Sequence, residues 1–234
     1  MTAITDQAFS AAQEEELSNW VGHTGNSSRL LYELAEHSDI ARPLARYLPE
    51  TAERALEVGV GCFGLGFLAV HLWQSLERLD GVDPLPRLPI AVADPALQQY
   101  LDEIRSRVNY IQTKGERLPF EDATYDLCAC INVVDHAQSP EAILREIHRV
   151  LKPGGVFAFS VSTLSWAGEW KWAFNRWRRP NEFLFVAHPH TYQWTRADAL
   201  IRSLFPQVLW HDRPRLKHRL IGRGRMSSWI VKKS

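Results

Sequence analysis

From residue 54 to residue 161, short apolar runs alternate with stretches of helical periodicity. That alternation predicts βαβ units wound over a mostly parallel sheet. Arg54–Val60 reads as a buried strand running into glycines, Leu65–Leu76 as a helix, and Leu79–Asp83 as a second strand halted by Pro84. Pro95–Ser106 reads as a helix, Val108–Gln112 as a third strand and Tyr125–Asn132 as a fourth. Ser139–Leu151 gives the clearest helical signal. Ile143, Leu144, Ile147 and the Val150/Leu151 pair share one face, with Ser139 placed to cap and Pro140 suited to the first turn. Lys152-Pro153-Gly154-Gly155 then stops it, and Val156–Val161 follows as a fifth strand. Thr195–Phe205 reads as a further helix, capped by Thr195 with Asp198 three residues on. Val208–His211 and Ser228–Lys232 are the last predicted strands. Residues 1–52 read as two helices around a Gly22–Ser28 loop, a helical cap segment ahead of one globular unit spanning 53–234.

Composition narrows the class. A chain of 234 residues can bury roughly 70–75% of its unfolded surface, so it needs no disulfide or structural metal. Apolar residues make up 45% and charged residues 23%, which excludes a disordered or fibrous chain. Lys+Arg and Asp+Glu balance at 27 each, so binding to nucleic acid is not expected of the chain as a whole. Cys62, Cys128 and Cys130 do not make a disulfide framework and point to a reducing compartment, hence a cytoplasmic protein. Cys128 and Cys130 fall on one face of the fourth strand, as small core residues do. The longest uncharged run, Val58–Val70, has 13 residues with four glycines, too short to span a membrane. The first residues show no basic and apolar pattern of a secretion signal.

The strongest chemical signal is Leu56-Glu57-Val58-Gly59-Val60-Gly61-Cys62-Phe63-Gly64-Leu65-Gly66, between a strand and a helix. Glycines there allow a sharp turn and let a ligand approach the main chain. Glu57 precedes the first glycine by two positions, where a carboxylate can pair with an amine cation on a ligand. Asp83 ends the next strand, where a carboxylate can accept from both hydroxyls of a ribose.

With those residues, residues 54–161 resemble the class I S-adenosylmethionine-dependent methyltransferase family. The resemblance extends through Gly115-Glu116-Arg117-Leu118-Pro119-Phe120, Asn132-Val133-Val134-Asp135-His136 and Ile147-His148-Arg149-Val150-Leu151-Lys152-Pro153-Gly154-Gly155. It implies a doubly wound α/β fold, a seven-stranded, mostly parallel Rossmann-like sheet with the last strand antiparallel. It further implies S-adenosyl-L-methionine as cofactor, lying over the carboxyl ends of the strands. Carried over by position, Gly59, Gly61 and Cys62 would lie against the methionine and ribose, and Glu57 would hold the ammonium group, directly or through water. Asp83 and Pro84 would flank the ribose, Gly115, Glu116 and Arg117 the adenine, and Asn132 the methionine. Two positions depart from the family pattern: Phe63 stands where a third glycine is common, and Lys114 where an acid is common.

The expected reaction is methyl transfer by in-line displacement to a small-molecule, sugar-linked or lipid-linked acceptor. Proximity and orientation carry most of it. His136 is the candidate base and Asp135 beside it the substitute. Trp166, His190 and Tyr192, after the fifth strand, are candidate acceptor contacts. His188-Pro189-His190 lacks a locally spaced third ligand, so no metal site is expected.

Trp166, Trp170, Ala173, Phe174 and Trp177 repeat on one helical face, with Lys171, Arg176, Arg178 and Arg179 around them. Such a face can pack on the core, form a lid, or lie at a membrane surface as a peripheral contact; a homodimer contact is compatible with each. From Arg213 to Arg225 there are six Lys/Arg, one His and no acid, a basic connection between the last strands that can be solvated, hold an anionic acceptor, or touch nucleic acid through its phosphates. Two rival functions share the glycine loop: an NAD-dependent oxidoreductase, and a cofactor-binding relative without catalysis.

Overall fold

The computed structural model describes residues 4–72 and 75–234. Eight strands form one sheet: β1 Ala52–Val58, β2 Leu76–Asp83, β3 Val108–Gln112, β4 Tyr125–Ile131, β5 Leu151–Leu164, β6 Tyr192–Gln193, β7 Gln207–His211 and β8 Arg225–Lys232. Their spatial order is β3-β2-β1-β4-β5-β8-β7, with the two-residue β6 pairing beside β5. Strands β1 to β5 are mutually parallel, and β8 runs antiparallel to both β5 and β7. The doubly wound α/β fold expected from the alternating pattern is therefore present, with β6 as an addition.

Both faces of the sheet are covered, which is why the strands read as nearly continuous apolar runs. Along β4, Leu127, Ala129 and Ile131 join one apolar cluster, while Tyr125, Cys128 and Cys130 join the other. Helices α2 (Ser27–Leu44), α3 (Phe67–His71) and α4 (Pro95–Ser106) close the first cluster through Leu30, Leu68 and Ile104. Helices α5 (Pro140–Val150) and α8 (Trp194–Leu204) close the second through Leu144, Ile147 and Ile201. In α5, the predicted stripe Ile143, Leu144, Ile147 and Val150 is buried throughout. Each such side chain contributes about 1.5–3 kcal/mol, so the stripe fixes this helix on the sheet. Burial also pushes the Cys128 and Cys130 thiols far above the ordinary range, as inert core groups.

Helix α1 (Asp6–Val21) starts where the Thr5 hydroxyl accepts from the Ala8 amide, and with α2 it lies over the carboxyl ends of the parallel strands. Three local expectations change. Helix α3 has five residues rather than running from Leu65 to Leu76, because Leu76 is already paired with Ala52 in the sheet; residues 73 and 74 lie outside the described residues. Helix α8 starts at Trp194 and Thr195 does not cap it; Asp198 instead accepts from the Trp229 indole at 3.0 Å and pairs with Arg202. The basic stretch between β7 and β8 contains a short helix, α9 (Leu216–Ile221). The remaining helices, α6 (Trp166–Arg178) and α7 (Phe183–Ala187), follow β5. Among the described residues, no helix is long and apolar enough to cross a membrane.

Candidate active site

A cavity of about 340 Å³ lies over the carboxyl ends of β1, β2 and β4. Its floor is main chain. Gly59 and Gly61 both take left-handed φ, +78° and +73°. A Cβ on Gly59 would stand 2.1 Å from a Val133 methyl, whereas one on Gly61 would meet nothing within 4 Å and would point into open space. Gly64 also has positive φ, while Phe63 turns away to pack edge-on against Trp20 of α1 at 5.7 Å. The departure from a third glycine at 63 is thus absorbed by a contact with the N-terminal helix.

Asp83, at the end of β2, accepts from the Gly61 amide at 3.0 Å through Oδ2 and from the Leu85 amide at 2.9 Å through Oδ1. Each carboxylate oxygen keeps a further lone pair for a ligand. Burial pushes the Asp83 carboxyl up to about 7; the Leu85 amide opposes that shift and the nearby Glu16 charge adds to it.

Glu57 does something other than what its position suggests. It lies beneath the loop, buried, and does not line the cavity. Oε1 accepts from the Phe67 amide at 2.5 Å and Oε2 from the Leu68 amide at 2.9 Å, so the carboxylate closes the first turn of α3. Gly66 makes this possible, since a Cβ there would fall 2.5 Å from the Glu57 carboxyl carbon. Burial pushes Glu57 up to about 7 against the Leu68 and Phe67 amides. A direct hold on a ligand's ammonium is inconsistent with this arrangement.

Cys62, Pro84, Gly115, Glu116 and Asn132 line the cavity; Arg117 is exposed and does not. Glu116 Oε1 accepts from the Gln138 and Ser139 amides at 2.9 and 3.0 Å, which fixes the start of α5. Asn132 sits at φ +57° and its Oδ1 accepts from the Ser162 hydroxyl at 3.3 Å. Lys114 lies 4.5 Å over the Phe9 ring and donates to Gln138, away from the floor.

The facing wall is made of side chains. Asp135 is buried; among the described residues its Oδ1 has no hydrogen-bond partner, and its Oδ2 lies 4.0 Å from both His136 Nε2 and His188 Nε2. The two imidazole centroids are 4.1 Å apart. His188 Nδ1 is 3.0 Å from the Leu184 carbonyl, which can only accept, so Nδ1 carries the proton and Nε2 offers its lone pair. Burial, and then the neighbouring His136, lower the His188 pKa. His136 Nδ1 lies 3.8 Å from Glu16 Oε2 of α1. His136, His188 and Glu16 line the cavity, with Asp135 behind them.

The ligand atoms of Asp135, His136 and His188 all fall within 4.8 Å of one another. Metal bonds of about 2.0–2.2 Å place neighbouring ligand atoms roughly 3.0–3.5 Å apart, so a cation would have to draw this trio inward. The expectation of no metal site considered residues 188–190 alone, and the structure brings Asp135 and His136 to His188 from more than fifty positions earlier.

The three expected acceptor contacts do not reach the cavity. Trp166 is exposed at the head of α6 and borders a separate groove. His190 is buried, with Nε2 3.0 Å from the Ala137 carbonyl, and burial lowers its pKa. Tyr192 is fully buried in β6, where burial pushes its phenol far up. Pairing of β6 with Thr163 and Leu164 holds Tyr192 in the core. In their place the cavity is lined by Glu16, Trp20 and Arg29 from the N-terminal helices, Phe183 of α7, and His188. Nothing local in residues 1–52 signalled the first three; for His188 the HPH triplet was the available cue.

With this geometry in place, the likeness to known proteins is specific. Residues 56–159 match the methyltransferase domain family, a span holding the glycine loop, Asp83, Asn132, Asp135 and His136. Over that span the chain is similar to methyltransferases, and its overall fold is that of S-adenosylmethionine-dependent methyltransferases. It is 32% identical over 120 residues to an uncharacterized methyltransferase of Mycobacterium leprae, a stretch covering 51% of this chain and 40% of that protein. It is 33% identical over 105 residues to a ubiquinone biosynthesis O-methyltransferase of Pseudomonas fluorescens, covering 44% of this chain and 42% of that one. The chain thus spans less than half the length of these curated relatives. Its fold matches that of a Burkholderia thailandensis 1,6-didemethyltoxoflavin-N1-methyltransferase, with TM-score 0.64, 18% identity, and coverage of 100% of this chain and 92% of that one.

Proposed function

We propose that the chain binds S-adenosyl-L-methionine on the glycine floor and transfers its methyl group to a small-molecule acceptor, with His136 taking the acceptor's proton. The observation that carries this reading is one cavity holding both a main-chain floor with Asp83 at its edge and a facing imidazole wall. The floor fits the cofactor: Gly61 opens onto free space, and Asp83 keeps lone pairs for two ribose hydroxyls. When bound, the cofactor supplies a methyl group on a sulfonium, which an in-line nucleophile displaces. Gly59, Gly61 and Cys62 would lie against its ribose and methionine portions, Asn132 beside the methionine, and the Gly115–Glu116 backbone beside the adenine. Residues of α1 and α2 form the cap that covers the acceptor and excludes water.

Alignment of the two reactants can contribute about 7–11 kcal/mol, the largest share of the rate. A hydroxyl or ammonium acceptor must also lose a proton, and positioned base catalysis adds about 10²–10⁴-fold. His136 lines the cavity, its Nδ1 is buried and makes no hydrogen bond among the described residues, and the Asp135 carboxylate behind it would stabilise the imidazolium that forms. Neutral His188 beside it adds no competing positive charge. A sugar-linked or lipid-linked acceptor fits the apolar side chains that α1 and α2 contribute. The relatives named above carry methyltransferase names and lend the nicotinamide-cofactor reading no support.

The test is transfer from methyl-labelled S-adenosylmethionine to hydroxyl and amine acceptor panels. The reading expects label transfer that Asp83→Ala cuts at least about tenfold at limiting S-adenosylmethionine and that His136→Gln cuts about 10²-fold. Transfer undiminished by His136→Gln would remove the base from the mechanism, and transfer undiminished by Asp83→Ala would remove the cofactor site.

A further inference from the structure

Among the described residues, nothing covers the outer face of α6. None of its 13 residues is buried, and Trp166, Trp170, Phe174 and Trp177 all stand in solvent, Trp177 with 77% of its surface exposed. The helix is nonetheless well anchored by its other face. Trp172 packs edge-on against Phe185 at 5.0 Å, Arg176 donates to the Pro189 carbonyl at 3.1 Å, and Glu169 binds Gln193 and Arg196. The aromatic stripe is therefore not a core face waiting to be packed by this chain.

The exposed surface continues onto α9. Trp166 shares a groove with Leu216 and Leu220, and Leu216, Leu220 and Ile221 are all exposed. Seven large apolar side chains thus form one outward surface on a protein that would otherwise hide most such groups. Cations surround it: Lys171 and Arg178 on α6, and Arg215, Lys217, Arg219 and Arg223 on and beside α9. The nearby carboxylates are neutralised, since Glu169 pairs with Arg196, Glu182 with Arg179 and Asp212 with Arg225.

The geometry points to a membrane-docking surface: α6 and α9 together seat on an anionic lipid bilayer, with the tryptophans and leucines at the acyl boundary and the cationic rim on the headgroup phosphates. Exposed Trp and aliphatic side chains beside Lys/Arg are the composition of interfacial helices. A second copy of this chain fits the charge less well. A twofold contact would press the same patch on itself and set one basic rim against the other. Nucleic acid would use the cations but leave Leu216, Leu220 and Ile221 without a partner. This inference stands apart from methyl transfer and does not depend on it.

The experiment is co-sedimentation of the whole protein with phosphatidylcholine vesicles, with and without phosphatidylglycerol, at low and high salt. Binding is expected to be at least about tenfold stronger to the anionic vesicles and weakened by salt. A Trp170→Ser/Trp177→Ser variant should lose binding about tenfold while keeping the wild-type melting temperature, because neither side chain contacts the core. Arg215→Glu/Lys217→Glu should remove the preference for anionic lipid. Absence of binding to either vesicle, or binding that both variants retain, would overturn the proposal. So would a wild-type dimer that Trp170→Ser/Trp177→Ser converts to monomer, or binding to single-stranded oligonucleotide that this variant abolishes.

Discussion

The two walls of the cavity are built by different means. The floor is main chain from one short stretch, Gly59 to Gly64, steadied by carboxylates that are themselves spent on backbone amides: Asp83 on Gly61 and Leu85, Glu57 on Phe67 and Leu68. The facing wall is side chain, gathered from α1 (Glu16), the loop after β4 (Asp135, His136) and the segment after α7 (His188). No hydrogen bond joins the histidines to Asp135, which lies 4.0 Å from each. A backbone floor is rigid and indifferent to most side-chain changes, and so suits an invariant ligand portion. A loose side-chain wall can be altered without unfolding the sheet, and so suits the variable partner and the proton.

The sharpest way to break this contrast is at the glycines. Gly59→Ala adds backbone strain of about 1–2 kcal/mol and drives a methyl into Val133, for a total of about 2–4 kcal/mol. At about 2–4 °C per kcal/mol, the melting temperature should fall by about 5–15 °C. Gly61→Ala carries only the strain, because nothing lies within 4 Å, yet its methyl occupies the floor. It should melt within about 8 °C of wild type while losing binding of S-adenosylhomocysteine. Equal damage from both substitutions would contradict the division between a packed glycine and an open one.

His136→Gln and His188→Gln address the other wall. Both should leave S-adenosylhomocysteine affinity within about twofold, since neither touches the floor. In a methyl-transfer assay with an acceptor that must be deprotonated, His136→Gln should cost about 10²-fold in kcat, and His188→Gln less. A large loss of cofactor affinity in either would show that the walls do not divide the work.

A smaller effect comes from pH. In the free protein Asp83 is raised to about 7, so it is protonated in a growing fraction of molecules as pH falls through 7. Hydroxyls donating to it favour the ionised form, so ligand binding lowers its pKa. Affinity is therefore full above pH 7 and declines below it, approaching tenfold per pH unit; calorimetry between pH 5.5 and 8 should show the decline, and Asp83→Asn should flatten it. The smallest expected effect is that of chelation. Because the Asp135, His136 and His188 ligand atoms spread to 4.8 Å, overnight treatment with EDTA should leave turnover unchanged, and a loss restored by a divalent cation would instead assign them a metal.

The same contrast explains what could be read from the chain. The glycine floor, Asp83 and α5 were legible because each is local: a strand-turn-helix sequence, a strand end, and a 3.6-residue stripe that is buried as the spacing implies. Glu57 was visible, but its role was not, since the carboxylate's partners are amides ten residues on. The histidine wall depends on Asp135 and His188 meeting across more than fifty residues, which no local pattern encodes. The stripe on α6 was legible as a helix and not as a surface. Periodicity states that one face is apolar and says nothing of what covers it, and here the core expectation fails because the helix anchors through Trp172, Arg176 and Glu169 on its other side. Tyr192 missed the cavity because the two-residue strand β6, too short to leave a pattern, holds it in the core, and His190 because its ring binds the Ala137 carbonyl.

The central claim is that the main-chain floor with Asp83 is the cofactor site. Calorimetric titration of S-adenosylhomocysteine into wild-type protein and Asp83→Ala, near pH 8, tests it directly. The account predicts one-to-one binding by the wild type. Removing hydrogen bonds to a charged group costs about 1.5–3 kcal/mol, so the variant should bind roughly 10–150-fold more weakly with its fold intact. Equal affinity in the two proteins, or no binding by the wild type, would contradict it.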